Sequence, residues 1–349
     1  MNDRAEIQRP GGAYQRSAFG AETVLASAKP GGGSPVRRSE PKPSAIVVEP
    51  FHEDLTQTVT YLVYDERTRV GVVIDPVTDF DPRTGCTSNA SNELVARAID
   101  RIGIDVHYVL DTHVHADHLS GIPFFEDRFG ASSVIGANVC EVQSVARDLF
   151  GLGDDLPTDG RQFDVLVEDR ATMHAGPLCI EVLHTPGHTP ACVSYRIDDA
   201  VFTGDTLFAP EYGVGRCDFP GGSAETLFDS IQRLYALPDD TRVYPGHDYR
   251  SGARRLTVHS RISEQRERNV QLPANATRED FVAFRRQRDA TLAMPSQMLA
   301  ALQVNVRAGR LPERASNGVS YLKIPLNRFC TRAAPGRPLA VVAVGAKFD

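Results

Sequence analysis

The stretch Thr112-His113-Val114-His115-Ala116-Asp117-His118 places three imidazoles and a carboxylate within six residues. It follows the apolar run His107-Tyr108-Val109-Leu110, which reads as a buried strand ending at a polar loop. In extended chain, residues two apart face the same side, so His113 and His115 can reach one point together. Asp117 and His118, where the chain turns, can reach a second point beside the first. Imidazole and carboxylate are the ligand types that borderline metals such as zinc and iron select. The competing reading is a surface loop that carries histidines without any ligand.

Three later fragments have a matching form. Thr185-Pro186-Gly187-His188-Thr189 places a histidine after a strand, and Phe202-Thr203-Gly204-Asp205-Thr206 does the same with a carboxylate. Tyr244-Pro245-Gly246-His247-Asp248-Tyr249 supplies a fifth histidine. The glycine beside each functional residue permits a tight turn that aims a side chain at the end of a sheet. Five of the ten histidines therefore sit in metal-type loops. His52, His107, His174, His184 and His259 lack such context and read as ordinary core or surface residues.

Around these loops the chain alternates strand and helix. Thr58 to Tyr64 and Val70 to Ile74 look like a hairpin with one face buried, ended by Asp75-Pro76. Ser91 to Ile102 is helical, with Leu94, Val95, Ala98 and Ile99 at helical spacing and Gly103 as its stop. A helix through Phe124 and Phe125 and a strand at Val134-Ile135 follow. Leu178 to Leu183, Cys192 to Ile197, Ala200 to Thr203 and Arg242 to Tyr244 read as strands, with a helix from Ala224 to Tyr235 among them. Function at strand ends between helices indicates a layered α/β architecture.

Residues 1–43, rich in Gly, Pro, Ser and Arg, are expected to be a disordered tail. The catalytic domain is placed at 44–250, a helical extension at 251–329 and a second tail at 330–349. In the extension, Thr277 with Asp280 three later resembles a capping box opening a helix through Leu292. Met298, Leu299, Leu302 and Val306 mark a second amphipathic helix ended by Gly309. The extension holds no ligand cluster, and its expected role is to cover the core or make an oligomer contact.

Composition narrows the function. At 349 residues, 41% hydrophobic and 24% charged, the chain fits a soluble globular enzyme of one large domain with additions, or of two domains. A net charge of −7 argues against a general nucleic-acid binder. No apolar run approaches a membrane span, and no secretion signal is evident, so a cytoplasmic location is expected. The six cysteines form no C-x-x-C pair and fit free thiols in a reducing compartment. Cys217 lies in a glycine-rich loop, but an activated thiol would need a base or a positive neighbour.

H-x-H-x-D-H followed by G-H, G-D and G-H, each at a strand end, resembles the metallo-β-lactamase superfamily across residues 113 to 247. The resemblance implies an αββα sandwich with a metal site at one edge of two facing sheets, here with a C-terminal helical extension. In the two-zinc hydrolases of this pattern, His113, His115 and His188 would hold one metal. Asp117, His118 and His247 would hold the other, with Asp205 bridging, and a water between the ions would attack a thioester or amide carbonyl.

A finer resemblance lies in Gly213-Val214-Gly215-Arg216-Cys217-Asp218-Phe219-Pro220-Gly221-Gly222 and in His247-Asp248-Tyr249. These fragments are similar to the persulfide dioxygenases, which oxidise glutathione persulfide with O2 to sulfite and glutathione. The likeness covers roughly residues 46 to 250, and the extension resembles the longer bacterial members. It departs at Gly246, where that family often carries alanine and glyoxalase II-type hydrolases carry glycine. Carried over, the implied Fe(II) ligands are His113, His188 and Asp205, the facial triad of non-haem oxygenases with three open positions. His115, Asp117, His118 and His247 would then orient ligands and waters.

Arg216 and Tyr249 match positions that contact glutathione in that family. Arg216 offers a permanently charged fork for a glycyl carboxylate; the alternative is a salt bridge to Asp218 that stiffens the loop. Tyr249 offers a hydroxyl and a flat apolar face, and Asp218 is expected to be structural. The resemblance implies an iron-dependent persulfide dioxygenase, expected as a homodimer, with any sulfurtransferase partner a separate chain. The alternative is a two-zinc hydrolase of the glyoxalase II kind acting on S-acylglutathione. A third class, a sulfur-responsive sensor, would turn over no substrate.

Overall fold

The computed structural model describes residues 46–249 and 258–329. The expected tails at 1–43 and 330–349, and the proposed boundary at 250–251, lie outside the described residues. Strands β1 (Ile46–His52), β2 (Val59–Asp65) and β3 (Val70–Ile74) form an antiparallel meander. A small ribbon of β4 (Val77–Asp81) and β5 (Cys86–Ser88) leads to α1 (Ala90–Ile102) and β6 (Asp105–Leu110). After the histidine loop come β7 (Leu119–Ser120), α2 (Ile122–Phe129), β8 (Ser132–Gly136), α3 (Val139–Phe150) and β9 (Val165–Val167). The second half runs β10 (Thr172–Ala175), β11 (Leu178–His184), β12 (Val193–Ile197), β13 (Ala200–Gly204), α4 (Ala224–Tyr235) and β14 (Arg242–Pro245). Past the undescribed gap lie β15 (Ser260–Arg261), α5 (Ile262–Arg268), α6 (Arg278–Asp289) and α7 (Met298–Asn305).

These strands make two six-stranded sheets, ordered β1-β2-β3-β6-β8-β9 and β10-β11-β12-β13-β14-β15. In the first, β3, β6, β8 and β9 run parallel, as helical crossovers require. The second is antiparallel except for the β13–β14 pair, which α4 connects. Alternation along β2 sends Val59, Tyr61 and Val63 into the space between the sheets, against Ile180, Tyr195 and Phe202. Leu62 and Tyr64 point the other way, into a layer shared with α1, α2 and α3. On the far side, α4, α5 and α6 cover Val201 and Val243. The four layers are helix, sheet, sheet, helix.

The layering explains a difference from expectation at β2, which is buried on both faces rather than one. Helices cover one side of its sheet and the second sheet covers the other. The β2–β3 hairpin, the stop of α1 at Gly103 (φ 78°) and the bounds of α4 agree with the sequence reading. The helix opened by Thr277 ends at Asp289 rather than Leu292. No helix among the described residues is long and apolar enough to cross a membrane.

Candidate metal centre

The histidine loop is held from below by a residue that strand β3 delivers. Asp75, just past Ile74, takes a left-handed φ of 50°, a conformation aspartate tolerates better than most residues. Its carboxylate accepts from the Thr112 N–H at 2.7 Å, the Thr112 hydroxyl at 2.9 Å and His115 Nε2 at 3.1 Å. From above, Asn305 at the end of α7 donates to the carbonyls of His115 and His118. The loop is therefore fixed by elements on both sides of it.

The other ligand-type residues arrive on turns. Gly204 (φ 49°) ends β13 so close to the loop that a Cβ there would lie 2.2 Å from Thr112 Oγ1. Gly246 serves differently from the expected tight turn, because its backbone is not left-handed. It permits a close approach: its N–H donates to the Gly204 carbonyl at 2.9 Å, and a Cβ would sit 3.0 Å from Asp205 Oδ1.

The structure brings all seven ligand-type side chains together. His113, His188 and Asp205 form one group whose ligand atoms lie within 4.8 Å of one another, and His115, Asp117 and His118 form another. Asp205 stands between, with Oδ2 4.0 Å from His113 Nε2 and 3.6 Å from His188 Nε2. Its Oδ1 lies 3.3 Å from His247 Nε2, which is also 3.2 Å from Asp117 Oδ2.

Most of the rings keep one nitrogen anchored and present the other. His188 Nδ1 donates to the Arg216 carbonyl at 2.7 Å, and His118 Nδ1 to the Leu119 carbonyl at 3.1 Å. His113 Nδ1 meets the Thr112 hydroxyl at 3.0 Å. Among the atoms facing inward, His113 Nε2, His115 Nδ1, His118 Nε2, Asp117 Oδ2 and Asp205 Oδ1 are buried without a hydrogen-bond partner. Buried acceptors converging on shared points are costly unless a cation sits among them. This donor set fits one or two metal ions, with anchored nitrogens fixing the tautomers as in known metal sites.

The electrostatics divide the imidazoles: two are held neutral, while neighbouring carboxylates raise His115 and His247. Burial pushes His113 well below the usual imidazole value, reinforced by His115 and His188. Burial also lowers His118, to about 4. At His115 burial opposes the charge, but the Asp75 carboxylate and its hydrogen bond outweigh it and raise the group to about 10. The hydrogen bond to Asp75 keeps a proton on Nε2, the nitrogen facing it.

A cleft of about 460 Å³ opens onto His188, Asp205 and Asp117. Its walls include Phe208, Tyr212, Val214, Phe219 and both predicted substrate residues, Arg216 and Tyr249. Arg216 is held by Asp218: Nε and Nη2 donate to its two oxygens at 2.6 and 2.8 Å, Nη1 donates to the Ala293 carbonyl, and the plane lies over Phe219. The salt bridge weighed as the alternative is thus present. Tyr249 stacks on His247 with ring centroids 5.1 Å apart. Cys217 is buried beside Asp289, which accepts from its N–H and thiol, and burial followed by Asp289 pushes that thiol up to about 12. It is no nucleophile.

Three features went unread in the sequence: Asp75, Asn305 and the contribution of the extension to the cleft. Gln271, Arg285, Arg288, Leu292, Ala293 and Pro295 all line it. Residues of the extension thus complete the cleft wall. Asn305 gave no signal, being the last residue of a helix that also carries Gln303; Asp75 read simply as the end of a strand.

Comparison with known proteins places this geometry. The profile of the Metallo-beta-lactamase superfamily matches residues 54–247. A protein of Burkholderia pseudomallei named a probable metallo-hydrolase is 45% identical over 292 residues, covering 81% of this chain and 99% of that protein. The human mitochondrial persulfide dioxygenase ETHE1 is 32% identical over 267 residues, covering 76% of this chain and 89% of that protein. The crystal structure of ETHE1 from Myxococcus xanthus superposes with a TM-score of 0.59 at 32% identity, covering 76% of this chain and all of that one. The chain belongs to the metallo-beta-lactamase superfamily.

Proposed function

We propose that this chain is an iron-dependent dioxygenase of glutathione persulfide, with His113, His188 and Asp205 as the metal ligands. The observation that carries this reading is the buried grouping of two imidazoles and one carboxylate at the floor of a cleft. Such a 2-His-1-carboxylate set selects ferrous iron and leaves coordination positions open to reactants. Likeness to the human and Myxococcus proteins lends further support. In the net reaction, glutathione persulfide, O2 and water give glutathione, sulfite and two protons.

When bound, ferrous iron would supply the redox chemistry that oxidation by O2 needs. The chain's own residues hold and shield the reactants. The anchored Nδ1 of His188 ties a ligand directly to the backbone of Arg216 on the cleft wall. Phe219 packs edge-on against His188, with centroids 5.3 Å apart, and screens that ligand from water. Tyr249 covers His247, while Asp75 sets the proton position on His115. Arg216 and Tyr249 would contact the glutathione moiety.

A second reading is favoured by a specific observation. Asp205 directs one oxygen to each half of the cluster, and Asp117, His118 and His247 stand ready as a second set. That arrangement suits a two-zinc hydrolase of S-acylglutathione, and the more identical Burkholderia relative bears a hydrolase name. Metal exchange separates the two. The iron form is expected to produce sulfite from glutathione persulfide and the zinc form to produce none. An iron-free, zinc-loaded protein oxidising persulfide at the full rate would overturn the dioxygenase reading.

A further inference from the structure

We propose that Arg288, on the last turn of α6, is the cation that receives the glycyl carboxylate of the substrate. The inference rests on the glutathione-type substrate of the proposed function, and holds whether the sulfur end is oxidised or hydrolysed. Three guanidinium groups line the cleft: Arg216, Arg285 and Arg288. Two already have carboxylates. Arg216 grips Asp218 with two donors, and the fully buried Arg285 pairs with Asp289 one turn along its helix and donates to Gln271. Each of those pairs is close to neutral and contributes little net field to a ligand.

Arg288 is the exception. It is exposed at the cleft rim and has no ion pair or side-chain hydrogen bond among the described residues. Residues three apart on a helix share a face, so Arg285 and Arg288 both look into the cleft. Arg286 lies on another side of the helix and pairs with Glu225 at 2.5 Å. An unpaired guanidinium fork in the same cleft as His188 and Asp205 suits a tripeptide whose central cysteine carries the sulfur and whose glycyl end carries a carboxylate. Leu292 and Pro295 line the same cleft and add apolar surface to its wall.

The test titrates reduced glutathione into the full-length, metal-containing protein by calorimetry. Arg288→Ala is expected to raise the Kd about tenfold, the scale of losing one charge-assisted contact at a partly solvated site. Arg288→Glu should weaken binding further, and Arg288→Lys should recover part of the loss. Arg286→Ala, which removes the same charge away from the cleft, is expected to stay within about twofold. Blocking the glycyl carboxylate as an ester should weaken binding to the parent protein but add nothing in Arg288→Ala. Parent-like binding by Arg288→Ala, or an equal loss in Arg286→Ala, would overturn the assignment. Failure of the dioxygenase reading is seen separately, as absent O2 uptake, and leaves these binding results standing.

Discussion

Asn305 holds the ligand loop with one carboxamide. Nδ2 donates to the His115 and His118 carbonyls at 2.8 and 2.7 Å, and Oδ1 accepts from the Ser120 N–H at 2.8 Å. Asn305→Leu would leave these buried groups unpaired, at about 1–3 kcal/mol each before relaxation. Both the thermal midpoint and the metal retained through dialysis are expected to fall; unchanged metal content would show that the loop holds its shape alone. At Arg216, substitution by alanine should raise KM far more than it lowers metal content. Equal losses of both would mean that the Arg216–Asp218 pair serves only to hold the loop. The ligand-type residues were legible because histidine and aspartate at alternating spacing have few other uses at a strand end. Asp75 and Asn305 were not, since each acts on a loop distant from it in sequence.

At the scale of elements, the regular strands and helices followed from side-chain period, and the exceptions have local causes. Helix α3 was not anticipated: Val139, Val142 and Val145 are β-branched, and Asn138 makes no capping bond. The ribbon strands β5 and β7 are too short to show a period. Helix α6 was visible through its cap, where Thr277 accepts from the Asp280 N–H at 3.1 Å. Its place in the cleft wall was not, because only the fold brings Arg285 and Arg288 beside residues from the first half of the chain. Thr277→Ala is expected to cost about 1 kcal/mol of stability, read as a lower denaturation midpoint. No shift would mean that packing of Phe281 and Val282 against α4 fixes the helix without its cap. Gly246→Ala would press a methyl to 3.0 Å from Asp205 Oδ1, so a modest loss of metal affinity is expected, measured by competition with a chelator. Unchanged affinity would show that the β14 turn can give by a few tenths of an ångström.

For the whole molecule, the two sheets deliver ligands from four separate strand ends to one edge of the sandwich. The extension closes the cleft above them. A metal that binds the folded chain and not the unfolded one adds to stability, so chelation should lower the melting temperature. The superfamily architecture was readable from the sequence because its signature recurs at each strand end. The identity of the metal was not, because the same seven side chains satisfy both one iron and two zincs. The most direct test is metal analysis of anaerobically purified protein, combined with O2 uptake on glutathione persulfide and hydrolysis of S-lactoylglutathione. The expected result is about one iron per chain, with O2 consumed and sulfite formed and little thioester cleavage. A zinc pair, with rapid thioester hydrolysis and no O2 uptake, would contradict it.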